Sequence, residues 1–154
     1  MINLVAPINS LGYGVVGLNV LKSLSLKDKV ALWPIGQISI SSKDEEKVCV
    51  EAINNTAIYD KNAPCVRIWH QHDLAQFVGK GLHIGFPIFE LNDFNKVEKH
   101  HLKNCDKLFV CSEWAKQIVN NVINHSSIEV VPLGVDINLF KPTPSNNKIG
   151  RAHV

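Results

Sequence analysis

The chain lacks several features that would assign it to a class at once. Its four cysteines, Cys49, Cys65, Cys105 and Cys111, form no CxxC pair and sit inside or beside apolar runs, as reduced structural thiols do. Neither a zinc ribbon nor a disulfide framework is therefore expected. Charge of one sign is scarce: 16 basic residues against 14 acidic ones leave a formal net charge of +2. A nucleic acid or an anionic membrane needs a concentrated basic field, so no nucleic-acid partner is expected. No apolar run approaches the roughly 18 residues of a membrane span, and the opening Met-Ile-Asn-Leu-Val-Ala-Pro has no basic leader region. The expectation is a cytoplasmic protein without a transmembrane segment.

The composition that remains is globular. A length of 154 residues, 45% of them hydrophobic and 19% charged, suits about one domain with a real core. Six short apolar runs read as strands: Ile2 to Ala6, Val30 to Ile35, Cys65 to Trp69, Leu82 to Phe86, Lys107 to Cys111 and Ile128 to Val131. Helical spacing appears over Gly14 to Leu24, from Ser42 to about Asn54, over Asn92 to Cys105, and after Ser112, where Trp114, Ala115, Ile118, Val119, Val122 and Ile123 form a wide apolar stripe. Ser42 and Ser112 are placed to cap their helices. Apolar strands that do not alternate with polar residues, joined by helices, are what a parallel sheet covered on both faces requires. The expected fold is α/β, a Rossmann-like, doubly wound and mostly parallel sheet. Ligands of such sheets bind beyond the carboxyl ends of the strands, so the loops that follow strands are where chemistry is sought.

Three loops stand out. Gly12, Gly14 and Gly17 spell G-x-G-x-x-G between a strand and a helix, nominally a dinucleotide fingerprint. Pro7 to Leu11 intervene before the first glycine, and the second strand ends in Pro34-Ile35-Gly36-Gln37 without a ribose-binding acid. Those departures disfavour a nicotinamide site and leave a plain helix start or a loop facing another ligand's phosphate or sugar. Trp69-His70-Gln71-His72-Asp73 places two imidazoles and a carboxylate after the third strand. A histidine there can act as a hydrogen-bonding group or general base near neutral pH, with Asp73 orienting a ring. The alternative is a polar loop in which Asp73 caps a short helix over Leu74 to Val78. A metal site is disfavoured because His83, His100, His101 and Cys105 lie at no ligand spacing. Glu90, a carboxylate after the apolar stretch Ile84 to Phe89, either binds something polar or caps the next helix.

With these loops placed, the stretch from Phe89-Glu90 through Cys111-Ser112-Glu113-Trp114 to Val131-Pro132-Leu133-Gly134-Val135-Asp136 and Phe140-Lys141-Pro142 resembles a known pattern. It is similar to the N-terminal domain of GT-B glycosyltransferases of the family 4-like type, also called glycosyl transferase group 1. The V-P-x-G-V-D-x-x-x-F-x-P run is its most specific motif, and the order and spacing agree across most of the chain. The resemblance implies one half of a two-domain transferase that moves a sugar from a nucleotide-sugar donor to a carbohydrate or lipid-linked acceptor. It also implies retention of anomeric configuration with no metal and no other cofactor, and it is compatible with peripheral membrane contact. Carried over by residue, Gly12, Tyr13 and Gly14 match the glycine loop near the donor phosphates, and His72 matches the cleft histidine near the transferred sugar, the expected catalytic residue. His70, Asp73 and Glu90 join the loop glycines and Tyr13 as expected substrate-binding residues.

On this reading residues 1–142 are the acceptor-side domain and 143–148 begin an interdomain linker. Ile149-Gly150-Arg151-Ala152-His153-Val154 reads like translated sequencing adapter, an artefactual tail. The donor domain is missing, and the fragment alone is expected to be inactive. The alternative from another class is a non-catalytic Rossmann-like module that binds a nucleotide or a protein partner.

Overall fold

The computed structural model describes residues 1–137 and 139–142. The expected linker at 143–148 and the expected tail at 149–154 lie outside the described residues. Six strands, β1 (Ile2–Ala6), β2 (Val30–Pro34), β3 (Cys65–Ile68), β4 (His83–Phe86), β5 (Lys107–Val110) and β6 (Ile128–Val130), form one sheet in the order β2-β1-β3-β4-β5-β6. Every pairing is parallel. The helices are α1 (Gly12–Ser25), α2 (Lys43–Asn54), α3 (Lys96–Lys103) and α4 (Glu113–Ile123), with a 3-10 turn at Asn55–Ile58 after α2. The fold is the Rossmann-like α/β sheet that the sequence pattern predicts. Ser42 and Ser112 cap α2 and α4 through Asp44 N–H and Ala115 N–H, as expected. Among the described residues no helix is long and apolar enough to cross a membrane.

The period of two along each strand divides the core between the faces of the sheet. On one face Leu4 and Ala6, Leu32, Ile68 and Phe86 pack with Leu21 of α1 and with Cys49 and Ala52 of α2. A second cluster joins Leu108 and Val110 to Leu102 of α3 and to Ala115, Val119 and Ile123 of α4, while Phe109 between them turns to the first cluster. A fully buried leucine in either cluster contributes about 1.5–3 kcal/mol relative to exposure.

Two segments differ from expectation. The helix expected over Asn92 to Cys105 begins only at Lys96, because Asn95 accepts from Val97 N–H and Glu98 N–H while the Glu98 carboxylate accepts from Asn95 N–H at 2.7 Å. That capping box stops the helix from starting earlier. The possible helix over Leu74 to Val78 does not form. Its would-be cap, Asp73, is taken by Arg67, and its amides go elsewhere: Leu74 N–H and Ala75 N–H donate to His101 Nδ1, and Val78 N–H to Cys65 Sγ. The connection from β3 to β4 is thus an extended strap without a helix.

The strand order creates a switch point. From β1 the chain leaves through α1 to β2 on one side, and from β3 it proceeds to β4 on the other, although β1 and β3 are neighbours. Such a reversal opens a crevice at the carboxyl ends of the two strands.

Candidate functional site

The loop after β1 enters that crevice. A Cβ on Gly14 would overlap Asn9, and one on Gly17 would overlap the Pro7 carbonyl, so both glycines allow α1 to press against the loop that feeds it. Gly12 faces open space. Asn9 Oδ1 accepts from Leu11 N–H at 2.9 Å, but no side chain caps α1 itself. The first amides of α1 are therefore presented at the carboxyl end of the sheet, with the positive end of the helix dipole behind them.

Tyr13 turns from this helix start toward the loop after β4. Its hydroxyl donates to the Ile88 carbonyl and accepts from Ile88 N–H at 3.0 Å. Burial raises the pKa of the phenol above its ordinary value, against the opposite pull of the Ile88 hydrogen bond, and the group stays protonated. Its ring meets the loop after β3, with the ring centroid 4.6 Å from His70 and 5.5 Å from Trp69. His70 in turn lies 4.9 Å from Trp69 and stacks on His72 at 5.3 Å with an interplanar angle of 13°. Burial, then the neighbouring His72, lowers the His70 pKa, which favours the neutral ring. His72 is exposed, and neither imidazole has a protein hydrogen-bond partner among the described residues.

The rest of this loop is held from below. Arg67, only 3% exposed on β3, donates from Nε to the Asp73 carbonyl at 2.8 Å, from Nη1 to the Gln76 carbonyl at 3.0 Å, and from Nη2 to the Asp73 carboxylate at 2.8 Å. Asp73 thus anchors the loop to the sheet, a role different from both sequence alternatives, orienting an imidazole or capping a helix. Buried Gln71 donates to Glu98 Oε1 at 2.9 Å, tying the same loop to the capping box of α3. Glu90 is exposed, two residues beyond the Ile88 that Tyr13 holds.

Of the expected site residues, Tyr13, His70 and His72 come together, with Gly12 and Gly14 at the adjoining helix start. Asp73 is turned toward Arg67, and Glu90 stands at the rim. Trp69, Arg67 and the Gln71–Glu98 pair were not anticipated as parts of the site. Arg67 carried a signal, a lone cation inside the apolar run Cys65 to Trp69. Among the described residues no group of three or more histidine, cysteine or acidic side chains is placed to hold a metal ion. No family model, no curated protein and no solved structure matches the chain.

Proposed function

We propose that the chain is the acceptor-side domain of a two-domain GT-B glycosyltransferase that transfers a sugar from a nucleotide-sugar to a carbohydrate or lipid-linked acceptor. One observation carries the reading: the glycine turn and the histidine loop, matched to the family separately in sequence, stack on each other through Tyr13, Trp69, His70 and His72 at the switch point of the sheet. Breaking the bond between the anomeric carbon and the donor phosphate leaves negative charge on the departing phosphate. Amides at an uncapped helix start stabilise such charge. The acceptor hydroxyl oxygen forms the new bond and gives up its proton, and the exposed ring of His72 is the group nearest to hand for holding that hydroxyl or taking the proton. His70, kept neutral, stacks beneath it and fixes its plane.

The reading calls for a donor-binding domain, so activity is tested on the protein that carries this chain together with that domain. Replacing His72 with alanine there is expected to lower kcat by about 10²–10⁴-fold, the usual worth of a positioned acid or base, with the melting temperature unchanged. Unchanged turnover would remove His72 from the mechanism. Scanning fluorimetry of the chain itself with NAD, UDP-sugars and GDP-sugars separates the other class. Strong stabilisation by NAD alone would identify a nucleotide-binding module.

A further inference from the structure

Beside the histidine cluster, on the other side of Asp73, the sheet carries a cleft of about 400 Å³. It lies at the carboxyl ends of β2 and β3, with Trp33 to Gly36 on one side, the strap from Gln76 to Val78 on the other, and Val5 and Arg67 in its lining. Its volume falls within the range of small-molecule sites.

The first feature of the cleft is its rigid aromatic walls. Trp33 is braced edge-on by Tyr59 at 5.2 Å, and Phe77 is backed by the His83 ring at 4.1 Å and 20°. Half-exposed aromatic faces of this kind offer apolar contact at little cost in side-chain freedom. A fixed acceptor is the second. One oxygen of Asp73 is locked by Arg67 at 2.8 Å, while the other has no protein donor among the described residues, and the side chain is 32% exposed. The Trp33 indole N–H likewise has no protein acceptor there. The third is charge. Arg67 is sequestered by Asp73 and two backbone carbonyls, so the pair is neutral and offers neither a free cation to a phosphate nor a free anion to an amine.

Apolar faces, one fixed acceptor, one free donor and no net charge match a neutral hydroxylated ring. We propose that this cleft binds a ring bearing a vicinal diol, its C–H face against Trp33 or Phe77 and its hydroxyls on Asp73 and the Trp33 indole. A pyranoside and the ribose of a nucleoside both present this chemistry. The assignment concerns binding alone and does not rest on the glycosyltransfer reading.

Saturation-transfer NMR on the full chain tests it, with methyl glucoside, methyl mannoside and methyl galactoside in one arm and adenosine against 2′-deoxyadenosine in the other. Signal transfer to at least one pyranoside, or to adenosine and not its deoxy analogue, is expected at millimolar affinity and tells the two sources apart. Trp33→Leu is expected to weaken that binding at least tenfold, and Asp73→Asn by a similar factor. Because Asp73→Asn also disturbs the Arg67 anchor, Trp33→Leu with an otherwise unchanged amide spectrum is the deciding variant. No transfer to any of these compounds, or transfer to adenosine and its deoxy analogue alike with none to a pyranoside, would overturn the proposal. Binding lost in His72→Ala and kept in Trp33→Leu would also overturn it, by placing the ring at the switch-point cluster.

Discussion

His83 is the side chain whose surroundings suit its chemistry least. It is 2% exposed on β4, stacked on Phe77, and neither ring nitrogen has a protein partner among the described residues. Burial lowers its pKa below the ordinary imidazole value. Asp106, which accepts from the His83 backbone N–H at 2.8 Å, and the neighbouring Leu74 and Asn104 backbone pull the other way, and Arg67 pushes it further down. A depressed value in the fold means that the neutral ring is favoured there, so the stability it contributes is fully present above the unfolded value near about 6.5 and is lost as the pH falls below it. The urea midpoint of the chain is therefore expected to drop between about pH 7 and pH 5, and His83→Phe is expected to flatten that slope. His70 shares the sign but is less buried, so some slope remains. The exposed Asp28 and Asp93, whose pKa values are lowered by hydrogen bonds, act only below about pH 4 and leave this window clear. Equal slopes in the two proteins would remove His83 as the source. At this scale sequence shows residue types in loops but not their partners: His70 and His72 stand out after a strand, whereas nothing local reveals that Asp73 faces Arg67.

The same limit appears in the elements. Strand bounds were legible to within about a residue, because apolar β-rich runs stopped by proline or polar turns are local signals. The strap between β3 and β4 was not, because what holds it comes from elsewhere: Arg67 beneath it, His101 on α3 and Cys65 Sγ. Arg67 is the central tie, reaching Asp73 twice and Gln76 once. Replacing it with methionine keeps the stem and removes the fork. Breaking a fully buried pair costs about 3–5 kcal/mol, and the partial exposure of Asp73 lowers the expectation for Arg67→Met to about 2–3 kcal/mol. Urea unfolding measures the loss, and limited proteolysis should report new cleavage between residues 74 and 82. A loss below about 0.5 kcal/mol with the strap still protected would mean that the packing of Phe77 on His83 holds the segment by itself.

For the whole molecule, the alternation of strands and helices made a parallel sheet legible, but the order of the strands was not. Nothing in the local pattern says that β3 pairs with β1 and not with β2, since that choice is made by Leu4, Ala6 and Ile68 meeting α1 and α2 across more than sixty residues of chain. The switch point, and with it the meeting of the two candidate loops, depends on that long-range choice. The sheet also divides the stability of the fold unevenly. The strands β1, β3 and β4 each have two neighbours, and Leu4, Ala6 and Ile68 are fully buried. β6 is three residues long, has one neighbour and is only half-buried, and α4 beside it ends at Asn124 in a left-handed conformation (φ 49°). Local opening follows buried apolar contact and protected hydrogen bonds, so the interior of the sheet and its β6 edge should not open together. Native-state hydrogen exchange is expected to find the slowest amides at Leu4, Val5, Val66 and Ile84, exchanging only on global unfolding, with β6 and the last turn of α4 exchanging through a smaller opening of lower free energy. Val119→Ala, which thins the contact of α4 with β5, should widen that gap by lowering the β6 opening energy while the β1 amides move only with global stability. If β6 and β1 amides instead exchange with one common free energy in both proteins, the sheet is a single cooperative unit, and the loops at its switch point are held as firmly as the strands that carry them.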